Sequence, residues 1–132
     1  MPRPRTPHPT PSELEILKLL WERGPLTVRE VLELEAPDQK SRAYTSVMSL
    51  MNVMADKGLL RREPEGRAFR YQPAVSRDNT QSQLATDLWS RVYEGATSTL
   101  VAHLLEQSQP SEHELDAIRQ LLNRFEQQED RS

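Results

Sequence analysis

Residues 42–73 read RAYTSVMSLMNVMADKGLLRREPEGRAFRYQP, and the fold is decided there. At roughly 100° per residue, Ala43, Val47, Leu50, Met51 and Met54 cluster on one side of a helix running from Arg42 to Lys57. Arg42, Thr45, Ser46 and Ser49 gather on the opposite side, and Gly58 supplies a left-handed stop. Two short runs follow, Leu59–Glu63 and Ala68–Tyr71, around Pro64-Glu65-Gly66-Arg67. That pattern predicts a β-hairpin turning at its Pro/Gly segment. Side chains alternate along a strand, so Phe69 and Tyr71 share a face.

Working back towards the N-terminus, Thr27-Val28-Arg29-Glu30 has the form of a capping box and opens a short helix with Val28, Val31 and Leu32 inward. Pro37-Asp38-Gln39-Lys40 reads as the loop between it and the 42–57 helix. Upstream, Ser12-Glu13-Leu14-Glu15 is a capping box for a first helix. Leu14, Leu17, Leu20 and Trp21 follow at helical spacing, and Gly24-Pro25 ends the segment. Gly24-Pro25-Leu26 has room for a small third strand beside the hairpin. Three helices and a β-hairpin in this order spell a winged helix-turn-helix, whose third helix enters the major groove of DNA. Five of the ten prolines fall in residues 1–11, which predicts an extended, disordered arm.

Beyond Pro73 the pattern is helical throughout. Ser76 caps a helix through Tyr93, with Leu84, Leu88 and Val92 in register and Gly95 at its end. Leu100, Val101, Leu104 and Leu105 mark a second helix. Ser111-Glu112-His113-Glu114, a third capping box, opens another with Leu115, Ile118, Leu121, Leu122 and Phe125. Three helices in under sixty residues enclose too little core for one chain, so their apolar faces are expected to meet a second copy. The expected organisation is a disordered arm 1–11, a DNA-binding domain 12–75, a helical dimerisation domain 76–128 and a disordered tail 129–132. The fold class is mainly α with a small β-wing.

Charge supports one polyanion-facing region. The 132 residues carry 20 acidic and 17 basic groups, a net −3, yet residues 40–73 hold 7 Lys/Arg against 3 Asp/Glu. Arg61, Arg62, Arg67 and Arg70 crowd the hairpin beside a hydroxyl-rich helix, the electrostatic footprint of duplex binding. Thr45, Ser46 and Ser49 suit close approach to base edges, Arg42 suits a phosphate or a guanine, and Tyr44 at the flank suits a phosphate. No cysteine is present, which excludes disulfides, thiol catalysis and zinc-finger ligation. The three histidines, His8, His103 and His113, sit in the arm, on an apolar helix and in a capping box. His103 reads as a partly buried packing residue and His113 as solvent-facing. No nucleophile, tuned acid–base pair or metal cluster emerges, so neither an enzyme nor a bound cofactor or metal is expected. No apolar run approaches a membrane span, and a cytoplasmic location follows by default. The competing function is a winged-helix module that binds another protein, which the net negative charge favours.

The sequence resembles the penicillinase-repressor family of bacterial regulators, the BlaI/MecI/CopY group. The resemblance is carried by Leu14-Glu15-Ile16-Leu17-Lys18-Leu19-Leu20-Trp21 and by Leu26-Thr27-Val28-Arg29-Glu30-Val31. Ala43-Tyr44-Thr45-Ser46-Val47 through Asp56-Lys57-Gly58-Leu59-Leu60, and Arg67-Ala68-Phe69-Arg70-Tyr71-Gln72-Pro73, extend it. It implies a homodimeric repressor on an inverted-repeat operator. Thr45, Ser46 and Ser49 would face bases, while Arg29, Arg42, Tyr44 and the wing arginines Arg62, Arg67 and Arg70 would position phosphates. Val53 stands where the family often has a basic residue. In the β-lactam branch a sensor's signal leads to cleavage at an Asn-Phe bond, and His103-Leu104 replaces that bond here. The cysteine motif of the copper branch is absent too. Any upstream sensor or protease, and the releasing signal, are left unidentified by the resemblance.

Overall fold

In the computed structural model, residues 8–35 and 43–130 are described. The expected 37–40 loop and Arg42 lie outside them, as does most of the proline-rich arm. The elements run α1 (Pro11–Arg23), β1 (Leu26–Thr27), α2 (Val28–Leu34), α3 (Tyr44–Asp56), β2 (Leu60–Glu65), β3 (Ala68–Pro73), α4 (Arg77–Arg91), α5 (Thr97–Ser108) and α6 (Glu112–Asp130). Contacts divide the chain into two units, 1–86 and 87–132.

Helix α1 starts two residues before the expected Ser12 box. Thr10 is the cap: its Oγ1 accepts from Glu13 N at 3.2 Å, and Glu13 Oε1 accepts from Thr10 N at 2.9 Å. Pro11 explains the choice, because its fixed φ suits the first helical position, where the missing N–H is not needed. Glu15 of the alternative box instead pairs with Lys18 on the surface. Ile16, Leu17 and Leu20 are buried, whereas Leu14 and Trp21 are only half-buried. The Trp21 indole N–H donates to the Val75 carbonyl at 3.0 Å, fastening the end of the wing to α1.

The box at Thr27 forms as expected, with Glu30 N donating to Thr27 Oγ1 at 3.2 Å and Thr27 N to Glu30 Oε1 at 2.9 Å. Helix α3 buries Val47, Met51 and Met54. Ala43, expected inward, is its exposed N-cap, and Leu50 is half-buried. The C-terminus closes through Gly58 at φ 86°, with Leu59 N on Met54 O at 2.9 Å and Gly58 N on Ala55 O at 3.1 Å. Those two bonds make a Schellman stop, whose apolar contact joins the buried Met54 and Leu59.

The hairpin turns later and more tightly than expected. Glu65 pairs with Ala68, leaving a two-residue loop of Gly66-Arg67 with Gly66 at φ 63°. A positive φ at the first loop residue only is the pattern of a type II′ hairpin. Pro64, expected within the turn, pairs with Phe69 instead. The sheet order β1-β3-β2 makes β2 an edge, where a proline costs no ladder bond. The short β1 is the anticipated third strand, pairing Leu26 with Tyr71 and Thr27 with Arg70. Leu26, Val28, Val31, Leu59, Leu60 and Tyr71 complete the core begun by α1 and α3.

From Arg77 onward the described elements are all helices. Ser76 and Ser111 cap their helices, accepting from Asn79 N at 3.0 Å and Glu114 N at 3.1 Å. The turn between α4 and α5 carries Glu94 and Gly95 at positive φ and is tied by Trp89 Nε1 donating to Thr97 Oγ1 at 2.9 Å. His103 is exposed rather than partly buried, with its Nδ1 3.0 Å from the Tyr93 hydroxyl. His113 is exposed, as expected.

Candidate nucleic-acid interface

Capping and core packing leave α3 with one polar, accessible side. Val47, Met51 and Met54 hold the helix on the core, so Thr45, Ser46 and Ser49 are exposed, with Tyr44 and Val53 beside them. The three hydroxyls make no hydrogen bond with a described residue. Their accepting and donating capacity therefore faces outward along the helix's N-terminal half. Arg29, near the start of α2, lies with its guanidinium carbon 5.9 Å from the centre of the Tyr44 ring. Cation and phenol thus flank the α3 N-terminus together.

The four hairpin arginines do not form one patch. Strand alternation puts Leu60, Arg62, Pro64, Phe69 and Tyr71 on one face of the sheet and Arg61, Glu63, Glu65 and Arg70 on the other. Arg70, expected at phosphate, is engaged inside the domain. Its Nε and Nη2 grip Glu65 bidentately at 2.9 and 2.8 Å, while Nη1 reaches Glu30 at 3.2 Å and the Pro25 carbonyl at 2.9 Å. The bonds to Glu65 raise the Arg70 pKa. The same pair lowers that of Glu65, while Glu30 is lowered first by the Thr27 N–H and then by Arg70. With two carboxylates and a carbonyl around it, Arg70 braces the wing against the start of α2. A phosphate would have to compete for its donors.

Arg62 turns the other way, onto α3. Its Nη1 donates to Asn52 Oδ1 at 2.7 Å, and its guanidinium stands 5.3 Å from the centre of the Phe69 ring. The buried Tyr71 donates its hydroxyl to the same Asn52 oxygen at 2.7 Å. Burial raises the Tyr71 pKa against the opposing influence of Arg62, so the phenol stays a donor. Arg61 and Arg67 are exposed and make no ion pair with a described residue. Asn52 is absent from the sequence-based candidates. A residue of low helix propensity beside Met51 and before Met54 was the available signal.

Among the described residues no group of three His, Cys, Asp or Glu side chains is placed to hold a metal ion. No helix among them is long and apolar enough to cross a membrane.

A three-helix domain with a β-hairpin wing and an exposed hydroxyl-bearing third helix defines a winged helix-turn-helix regulator. The sequence matches the profile of the penicillinase repressors over residues 9–124, and the chain belongs to that family of transcriptional repressors. It is 25% identical over 118 residues to the penicillinase repressor of Bacillus licheniformis, covering 89% of this chain and 91% of the relative. It is 31% identical over 116 residues to the transcriptional regulator BlaI of Mycobacterium tuberculosis, covering 86% and 82%. Against the methicillin resistance regulatory protein MecI of Staphylococcus aureus, identity is 22% over 113 residues, covering 86% and 91%. Among solved structures, the transcriptional regulator Tm0710 of Thermotoga maritima superposes with a TM-score of 0.45 at 19% identity, covering 92% of this chain and 77% of that one. The expectation of a regulator rather than an enzyme agrees with the family.

Proposed function

We propose that the chain is a cytoplasmic, homodimeric repressor that binds an inverted-repeat operator, with α3 of each copy in a major groove. The observation that carries this reading is the exposed row of Thr45, Ser46 and Ser49, whose hydroxyls make no hydrogen bond with a described residue. Basic groups frame that row: Arg29 with Tyr44 at one end, Arg62 with Asn52 at the other. Hydroxyls of this size let the helix approach base edges closely, while the flanking cations position it on phosphates. Arg67, exposed in the wing's turn, and Arg42, just ahead of α3, are assigned to phosphates as well. The penicillinase repressor and the regulatory protein MecI among the relatives support a repressor.

Dimerisation supplies the specificity that one helix lacks. Two copies placed about one helical turn apart, ~34 Å, read two half-sites. The proposed interface uses Leu84, Leu88, Leu100, Val101, Leu104, Leu115, Ile118, Leu121, Leu122 and Phe125. Its support is that no described residue after Thr80 is buried in the single chain.

The test is a footprint of the purified protein on DNA from upstream of its own gene and neighbouring genes, at physiological salt. Protection of an inverted repeat is expected. Uniform coverage, or no protection by a protein that is dimeric in solution, would overturn the operator reading.

A further inference from the structure

We propose that Asn52 is a positioning residue for DNA binding, holding Arg62 in the geometry in which it meets the phosphate backbone. The inference rests on the operator reading above and assigns a role within it to a residue that touches no base. Asn52 lies on α3, one residue from the exposed Val53 and past the hydroxyl row at Thr45, Ser46 and Ser49. Its Oδ1 is shared by Arg62 Nη1 and the Tyr71 hydroxyl, both at 2.7 Å. Two donors on the two lone pairs of one amide oxygen fix the amide plane. Tyr71 is 1% exposed and belongs to the core, so the Asn52 amide is anchored from below by an immobile group.

The consequence falls on Arg62. A free surface arginine loses rotamer freedom when it closes on a phosphate, and that loss reduces affinity. Here one N–H is already held by Asn52, and the Phe69 ring lies under the guanidinium at 5.3 Å. Phe69 is itself 42% exposed and packs edge-on against Tyr71 with ring centres 6.5 Å apart, so it is a fixed platform on the open side. Arginine has five N–H donors. Binding one to Asn52 leaves the others on an exposed side chain, so a phosphate is met without breaking the Asn52 bond. Arg67, in the two-residue turn, has no such support and must be ordered by the DNA. The wing therefore offers one arginine already set, Arg62, beside Arg61 and Arg67, which make no ion pair with a described residue.

A double-mutant cycle on the full-length dimer separates positioning from mere structure. Operator affinity and its salt dependence are measured for the parent, Asn52→Leu, Arg62→Ala, the double variant and Tyr71→Phe. Asn52→Leu and Arg62→Ala are each expected to weaken operator binding five- to twenty-fold, and Arg62→Ala to flatten the log–log salt slope by about one unit. The double variant is expected to bind no more weakly than Arg62→Ala alone, because Asn52 acts only through Arg62. Tyr71→Phe removes one of the two donors that fix the Asn52 amide, so it is expected to lower the melting temperature and to weaken operator binding by less than Asn52→Leu, with no further loss in the Arg62→Ala background. Additive losses in the double variant would overturn the proposal, as would an Arg62→Ala variant that binds like the parent. Either result leaves operator binding itself standing. A parent that protects no operator overturns the operator reading and this proposal with it. Should Asn52→Leu fail to fold, Asn52→Ser gives the same cycle, since its hydroxyl is too short to reach Arg62.

Discussion

The two halves of this chain use the same amino acids to opposite ends. Every hydrophobic residue of the described core, from Ile16 to Tyr71, lies in the first unit. Of the twelve large hydrophobic side chains exposed among the described residues, eight lie at Leu88 or beyond, with Val92 and Phe125 each 66% exposed. Helix α6 has a clear apolar stripe in Leu115, Ile118, Leu121, Leu122 and Phe125, yet none of these is buried in the single chain. Both halves carry amphipathic helices in their sequence pattern. What differs is whether the partner surface is in the same chain. In the first unit α1, α2, α3 and a sheet close around one another. In the second, the helices present stripes that the single chain leaves open, and soluble chains seldom leave that much apolar surface uncovered.

The largest expected effect tests that difference directly. Leu121→Glu combined with Phe125→Glu places two charges on the stripe and should give a monomer by light scattering. Losing the second half-site removes the avidity of linked binding, so operator affinity should fall by roughly 10²–10⁴-fold. A double variant that stayed dimeric would show that the stripe packs elsewhere. The first unit should respond to a different change. Leu20→Ala empties a fully buried site in α1 and should cost about 2–5 kcal/mol by denaturant titration. Its melting shift should be the same at any protein concentration. Leu104→Ala, in α5, should instead give a shift that grows with concentration towards a plateau, because dimerisation stabilises each protein by mass action only above its own dissociation constant. Equal concentration dependence for both would erase the contrast.

A change on the open face of α3 should leave both halves intact. Ser46→Ala removes one hydroxyl from an exposed position, so melting temperature should barely move while base preference at one operator position relaxes by roughly 1–3 kcal/mol. Arg67→Ala should weaken all sequences alike and lower the salt slope by about one unit. Competition binding against a panel of single-base operator variants separates the two. The same loss on every sequence for both substitutions would break the division between reading and holding.

Much of this was legible from sequence, for reasons that locate the rest. Helices α1–α6 and the hairpin follow from periodicity, caps and glycines, all of them signals within a few residues. The start of α1 was misplaced because Thr10-x-x-Glu13 and Ser12-x-x-Glu15 satisfy the same spacing. Pro11 favours the first, and so does Lys57, whose Nζ reaches Glu13 Oε2 at 2.8 Å from the end of α3. No local rule sees a partner 44 residues away. The arginines were miscounted as one patch because a tally of charges ignores which face each strand position takes. Arg70 meets Glu30 on α2, and Arg62 meets Asn52 on α3; both pairings depend on how the sheet packs. The site was therefore legible where it is a helix face and hidden where it depends on contacts between elements.

Glu13 gives the smallest and most specific test of the self-contained half. It is only 1% exposed, and burial by itself would raise its pKa. The bond from the Lys57 ammonium and the Thr10 N–H more than offset that, leaving the carboxyl below the usual glutamate range. A carboxylate with a depressed folded-state pKa contributes stability that is fully present above the unfolded value, about 4.3 for glutamate. That contribution is lost as pH falls from there through the depressed value. Glu13→Gln retains one oxygen where two are used, so it cannot serve both Thr10 and Lys57. It should cost about 1–2 kcal/mol near neutral pH, kept modest because Lys57 is one-third exposed and recovers water. The cost should shrink as both proteins are taken into acid, since the parent then loses by protonation what the variant lacks already. Urea titrations of the two at neutral pH and below pH 4 measure this convergence. Parallel curves at both pH values would mean that Glu13 acts as a neutral cap and that the Lys57 pair adds nothing to holding α1 on α3.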